Sequence, residues 1–412
     1  MKQNYSLTRL ACYIGYITQA ITINLAPLFF IIFQNRYGIS YTKIGQIILI
    51  TFVVQIVVDL LCVRLISHIG YRVAAVAAHI CAALGLIFLG LLPPLMNNAY
   101  AGILIAVFFY SVGGGLTEVI ISPLIDSLPS DAKAASMSLL HSFYSWGQCL
   151  VVLLSTLVLS LIGQDNWNII PYFWAVIPLA NIILFCFAPI PAHSEEEASN
   201  GKLSDILKCG VFYVFIILMI ASGASEQVMS QWASLFAEKA LGVNKVVGDI
   251  LGPCLFAVLM AIGRTGYGVF GQKIRVEKAL MICSLLTVFC YALTVFCSVP
   301  SVALIGCALT GLGVSLMWPG VLSLSSSRFP TGSSPMFAIL ALSGDIGCSL
   351  GPWISGIVSD MTAAGQISPA PGVTGNLTQQ AMKNGMLFSI GFPLFMALVL
   401  LLFLKNRRQE SK

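Results

Sequence analysis

The fold class this sequence predicts is an all-α membrane protein, twelve transmembrane helices in two six-helix halves. Three observations predict it: the composition, the lengths of the apolar runs and one polar interruption midway. Fifty-eight per cent of the residues are apolar and nine per cent are charged, against about 25 per cent charged in a soluble globular domain. A hydrocarbon core ~30 Å thick takes roughly 20 apolar residues per helical span. The one long polar interior loop is PAHSEEEASNGKLSD, residues 191–205, with three consecutive glutamates.

Taken in order, the apolar runs between punctuating charges and prolines are 9–34, 43–66, 72–92, 99–127, 134–162, 169–191, 207–236, 246–271, 276–298, 301–326, 333–361 and 383–404. They leave no room for a sizeable soluble domain. The expected organisation is a first bundle over 1–191, an interdomain loop over 192–206, a second bundle over 207–404 and a tail over 405–412. With both termini inside, fifteen basic residues fall in inner loops and tails and five in outer loops: Arg36, Lys43, Lys239, Lys245 and Lys383. That bias follows the positive-inside rule. It predicts a multi-pass protein of the inner (cytoplasmic) membrane with both termini cytoplasmic. The net charge of +5 then reflects topology, and the expected surroundings are a lipid bilayer, not nucleic acid. The opening segment MKQNYSLTRL leads into a span too long, and too poor in small residues at a cleavage point, for a cleaved signal peptide.

All twelve cysteines lie in or at the ends of apolar spans, and no Cys-x-x-Cys occurs. Buried free cysteines behave as small hydrophobes. Four scattered histidines supply no metal-ligand cluster, so neither a metal nor a cofactor is expected. Asn376-Leu377-Thr378 fits a glycosylation acceptor pattern in an outer loop; the short loops suggest a bacterial protein, where it carries no meaning.

A weak repeat relates the two halves. GGGLTEVIISPLIDSLP, with Gly113 and Pro129, parallels GLGVSLMWPGVLSLSSSRFP, with Gly313 and Pro330. SWGQC with Gly147 parallels GDIGC with Gly347. Two halves that each begin inside and hold an even number of spans are parallel repeats about an axis along the membrane normal. Major facilitator halves are related in this way, with substrate bound near the midplane. The loop segments VRLISHIGYR and GVFGQKIRVEK resemble that superfamily's charged loop motif in part. They keep Gly70, Arg72, Gly268 and Lys273 but carry Ser67, His68 and Gln272 at its acidic and basic positions.

Longer segments resemble the L-fucose permease branch of the major facilitator superfamily. They are LTEVIISPLIDSLPSDAKAASMSLLHSFYSWGQ, GRTGYGVFG and MWPGVLSLSSSRFPTGSSPMFAILALSGDIGCSLGPWISGIVSD, about a quarter of the chain. The resemblance implies the major facilitator fold and a proton-coupled sugar carrier. It also implies that Glu118, at the matching place in the fourth span, belongs to the cavity and to the proton or sugar site. The chain departs from the branch in the first span, where the permease has an aspartate. ACYIGYITQAITINLAPLFFIIFQ holds no acid, and Gln19, Thr22 and Asn24 offer neutral groups only. One carboxylate then suffices, or another acid takes over, or the protein is a uniporter.

The residues themselves point to the same places. Asp59, Glu118, Glu226, Arg264 and Asp345 each interrupt a span, and ionisable groups at membrane depth cost about 2.5–3.5 kcal/mol on insertion scales. They usually face a cavity, a partner or a transport path. Glu118 follows Gly113-Gly114-Gly115, a run that permits close helix approach. Burial disfavours the charged form of a carboxyl, so one in a partly hydrated cavity can bind and release a proton. His141 is expected at a similar depth on the adjacent helix, as a relay or a packing residue, with Tyr144 and Gln148 facing the same way.

On the seventh span Ser222, Glu226 and Ser230 recur every four residues, beside a stripe of Gln227 and Gln231, with Trp232 following. Amides and hydroxyls beside an aromatic ring suit a sugar; an interhelical polar seam is the competing reading. Trp318 and Pro319 occupy the place that Glu118 holds in the first half, and Trp318 is a candidate cavity residue. Arg264 and Asp345 are expected about 8 Å apart in depth at ~1.5 Å per residue, as an ion pair or latch. Asp59, with Arg64 beyond it, reads as an inner-gate residue.

The function expected is a secondary active transporter, a monomer moving a small polar solute, a sugar first, by proton symport. The alternatives are a proton-coupled exporter of amphipathic drugs and an uncoupled uniporter. The amide-rich seventh span favours a hydrophilic cargo. An enzyme is not expected, because no nucleophile with a base, and no paired acids with histidine, converge at one depth.

Overall fold

The computed structural model describes residues 5–128, 133–190, 207–270, 275–329 and 334–410. The interdomain loop 192–206, Gln272, Lys273, Pro129 and Pro330 lie outside the described residues, as do the side chains of Arg64, Ser67 and His68. Eleven helices among the described residues are long and apolar enough to cross a membrane. They are α1 (Ser6–Tyr37), α2 (Tyr41–Leu61), α3 (Ile69–Leu95), α4 (Ala99–Ser122), α5 (Leu140–Ile162), α6 (Ile169–Phe187), α7 (Gly210–Lys239), α8 (Lys245–Tyr267), α9 (Val276–Phe296), α10 (Pro300–Ser325) and α12 (Leu377–Lys405). A thirty-residue helix, α11 (Ser334–Ala363), stands where the eleventh predicted span falls. The fold is all-α, a multi-pass membrane protein.

Prolines explain the breaks inside spans. A proline lacks the N–H that residue i−4 would receive. Pro27 lies in a 3₁₀ turn, Ala26–Phe29, that interrupts α1 just after Asn24. Pro253 lies in a π turn, Ile250–Cys254, in α8. In α10 the helix ends at Val314 and restarts at Met317. Pro319 cannot donate to Ser315 there, which leaves that carbonyl oxygen open to another donor.

The chain divides into two compact units, Met1–Ile39 with Ile50–Ser194 and Ser40–Leu49 with Glu195–Lys412. A division at residue 191 would place all of α2 in the first half, whereas its opening residues group with the second unit. One tie is a cap. The first amides of a helix lack intrahelical acceptors, and Asp360 supplies them: Tyr41 N donates to Oδ1 at 3.1 Å and Thr42 N to Oδ2 at 2.7 Å. Asp360→Ala is expected to lower thermal stability by about 0.5–2 kcal/mol. Asp360→Asn, which keeps an acceptor, should lose less, and equal melting temperatures for wild type and Asp360→Ala would show the cap to be idle.

Within the first unit, Arg72 ends α6. Its Nη1 donates to Phe185 O at 2.8 Å and to Cys186 O, and Nη2 donates to Ala188 O at 2.8 Å. Arginine suits the last carbonyls of a helix by charge and by its several donors. Gly70, at φ 78°, makes the sharp turn before it, a left-handed conformation that glycine adopts without strain. The loop glycine and arginine that resemble the family motif therefore brace one end of a bundle. Asn376, the glycosylation-pattern residue, is engaged in a reciprocal capping box with Gln379 at the start of α12. All the described cysteines are free thiols.

Candidate functional site

The first polar cluster is built where three helices converge on Gly113, Gly114 and Gly115. A Cβ at Gly113 would meet Ala82 N at 2.5 Å and Ala78 O at 2.6 Å, on α3. One at Gly114 would meet Gln55 Nε2 at 2.8 Å and Thr22 Oγ1 at 3.1 Å, on α2 and α1. One at Gly115 would meet Gln55 Cα at 3.1 Å and Val58 Cβ at 3.2 Å. Each glycine thus admits a different part of the surrounding wall, and polar groups collect in the angle.

Glu118 lies one turn further along α4. Gln19 Nε2 donates to its Oε2 at 2.7 Å. One turn beyond, Tyr16 OH and Ser122 Oγ share a hydrogen bond of 2.6 Å. The His141 ring stands edge-on to the Tyr16 ring, centroids 5.3 Å apart. Tyr16 therefore stands beside the histidine that was expected to meet Glu118. On the other side of Gln19, Asn24 Nδ2 donates to Ala20 O at 3.0 Å and to Tyr144 OH at 3.4 Å. Gln148, from the same helix as Tyr144, is buried. Asp59, read as a gate residue, follows Gln55 by one turn on the α2 face that meets Gly114 and Gly115.

The second cluster belongs to α7 and its neighbours in the other unit. Arg264 Nη2 pairs with Glu226 Oε2 at 3.3 Å, and its Nε donates to Ser315 O at 3.4 Å. The ion pair shown for Arg264 is with Glu226; Asp345 was the expected partner. The Ser315 carbonyl, which Pro319 leaves without its usual helical donor, accepts the guanidinium beside that pair. Asp345 is buried in α11. Its neighbour Gly344 lies against the six-membered ring of Trp318, where a Cβ would meet Cε3 at 3.0 Å. Gly347 and Gly351 seat α11 on Ile220 and Ala224 of α7. Along α7, four buried polar atoms have no hydrogen-bond partner among the described residues: Ser222 Oγ, Gln227 Oε1, Gln231 Nε2 and Trp232 Nε1. The Trp232 ring lies 6.3 Å from that of Tyr41.

A sequence profile of the Major Facilitator Superfamily matches residues 12–352. The chain is a member of that superfamily. It is a membrane transporter, not an enzyme. The membrane protein MosC of Rhizobium meliloti is 22% identical over 273 residues, covering 64% of this chain and 63% of that protein; the match thus spans less than two thirds of either. A bacterial homologue of the human lysosomal transporter Spinster, in an inward-facing and occupied conformation, superposes with a TM-score of 0.75 at 14% identity, covering 99% and 98% of the two chains. The Escherichia coli fucose:proton symporter superposes with a TM-score of 0.62 at 16% identity, covering 97% and 99%. At these identities the structures speak for the fold.

Two features of this superfamily member escape a linear reading. Lys245, counted among outer-loop cations, is buried; its Nζ pairs with Asp249 at 3.0 Å and Glu238 at 3.5 Å, and Ser234 donates to Asp249. Only the spacing of Lys245 and Asp249, four apart on a helix, hinted at it. His79 and Asn181, both fully buried, lie 102 residues apart in sequence. His79 Nδ1 faces Ala75 O at 2.7 Å, which places the ring proton there. Nε2 then accepts from Asn181 Nδ2 at 2.8 Å, and the same amide donates to Ala11 O at 3.0 Å. A neutral imidazole with both nitrogens engaged is a strut for α1, α3 and α6.

Proposed function

We propose that this transporter carries a small polar solute of the sugar class together with a proton, by alternating access, across the cytoplasmic membrane with both termini inside. The observation that carries the cargo is the set of unpartnered polar atoms on α7. Buried polar groups in native proteins are nearly always hydrogen-bonded, and leaving one unsatisfied costs about 1–3 kcal/mol. Four of them on one helix, offering both donors and acceptors beside an indole, match hydroxyl groups on a ring with apolar faces. Trp318, packed against Gly344, is a further aromatic candidate for the same site. The coupling side of the proposal rests on Glu118, with His141 and Tyr16 beside it, and on Gln19, Asn24, Tyr144 and Gln148 as neutral contacts. The fucose:proton symporter among the structural relatives fits both parts.

The test is thermal stabilisation of the detergent-purified protein by a panel of sugars, sugar acids, nucleosides and cationic drugs. A ligand bound only by the native state stabilises by about 2.7 kcal/mol at 100 times its dissociation constant. The expected result is a shift with a monosaccharide, lost in Gln227→Leu, whose melting without ligand is unchanged. Shifts with hydrophobic cations alone would replace the proposal with a drug exporter. Shifts with nothing in the panel would leave the α7 amides as a hydrated seam.

A further inference from the structure

We infer that Asp59 and Glu118 form one proton-binding pair, holding a single proton between two carboxyls on neighbouring helices. The inference rests on the proton-coupled reading above and supplies the second acid that the first span lacks. Its geometry comes from the glycine run. Gln55 and Val58 of α2 lie against Gly114 and Gly115 of α4. Asp59 and Glu118 come next along the same two faces, so the register that seats the helices also brings the carboxyls together. Asp59 Oδ1 is buried and has no hydrogen-bond partner among the described residues. Glu118 has one amide donor, Gln19, on Oε2.

Two carboxylates brought together by that register oppose each other's charge. With one proton present, the protonated carboxyl donates to its ionised partner, which gives the orphaned Asp59 oxygen a role. The other groups facing the pair are few. From α1 come Gln19 and Tyr16, and from α5 comes His141 across the Tyr16 ring. Among the described residues no basic side chain pairs with Glu118; the Arg64 and Asp126 side chains lie outside them. On α3, which meets Gly113 through Ala78 and Ala82, the titratable groups in that stretch are Cys81 and His79, and both nitrogens of His79 are engaged with Ala75 and Asn181.

The experiment is an infrared pH titration of the protonated-carboxyl band in the purified full-length protein. It compares wild type, Asp59→Asn, Glu118→Gln and Asp59→Glu, with the double variant Asp59→Asn/Glu118→Gln as baseline for all other carboxyls. A coupled pair gives up its protons in two separated steps that belong to the pair. Each single variant is therefore expected to lose the same step, the one at higher pH, while Asp59→Glu keeps both. Independent carboxyls would instead lose different steps in the two variants, and that result overturns the inference, as does a variant titration indistinguishable from wild type. Each sample's thermal melt verifies that it is folded. No substrate enters the measurement, so failure of the sugar panel and failure of the pair are separately visible.

Discussion

If Glu118 binds the coupled proton, Glu118→Gln is expected to abolish uphill, proton-driven accumulation of substrate while exchange between equilibrated compartments continues, the larger of the two expected effects. An amide cannot take up and release a proton, yet its oxygen still accepts from Gln19, so the hydrogen bond of 2.7 Å has a successor in the variant. The wall around the site survives because Gly113, Gly114 and Gly115, not Glu118, set the helix spacing. In proteoliposomes with a tenfold proton gradient, wild type coupled to one proton can hold about a tenfold substrate gradient, about 1.4 kcal/mol. The variant is expected to stop at equal concentrations on both sides. On the coupled reading, the pH dependence of its exchange rate is expected to be smaller than that of wild type. Equal loss of both activities, at normal abundance in the membrane, would move Glu118 from coupling to substrate binding or folding.

The place of Glu118 was largely legible in the linear sequence, because a carboxyl after three glycines in an apolar span needs a cavity or a partner to face. The same holds for the apolar spans, whose lengths answer to bilayer thickness, and for the glycines at 344, 347 and 351 that seat α11. What could not be read is rotation. Arg264 lies on a helix that could turn its guanidinium toward either Glu226 or Asp345, and depth along the helix axis does not distinguish two partners on different neighbours. That Pro319 leaves the carbonyl of Ser315 without its usual donor is local, but its use by a side chain 51 residues earlier is not. Asp59 illustrates the same limit: charge and position suggest a gate with Arg64, whereas the seating of Gln55 and Val58 on Gly114 and Gly115 is a tertiary fact that the linear sequence does not carry. Lys245 looked like a loop cation because hydropathy averages over a window; its burial depends on Ser234 and Glu238 across a turn of chain.

The Glu226–Arg264 pair gives the second large effect, and its asymmetry is the informative part. The Glu226 side chain is 13% exposed and that of Arg264 32%. Removing one partner of a fully buried pair costs about 3–5 kcal/mol, because the remaining charge is stranded. Here the stranded group matters: Arg264→Met leaves a nearly enclosed carboxyl and also deprives Ser315 O of its donor. Glu226→Gln leaves a partly hydrated guanidinium that still holds Ser315 O and can donate to the new amide. Arg264→Met is therefore expected to lower thermal stability by more than Glu226→Gln does, though short of the fully buried figure. The double variant Glu226→Gln/Arg264→Met should recover part of the loss, since a neutral amide tolerates the site that strands a carboxyl. Substrate affinity measured in the same four proteins separates architecture from recognition. If Glu226 meets the solute, Glu226→Gln weakens binding by more than its small effect on melting accounts for, with little change in pH dependence. If the pair serves only to fix α7 against α8 and α10, affinity tracks stability through all four, and additive losses with no recovery in the double variant would show that the two side chains do not act as a pair at all.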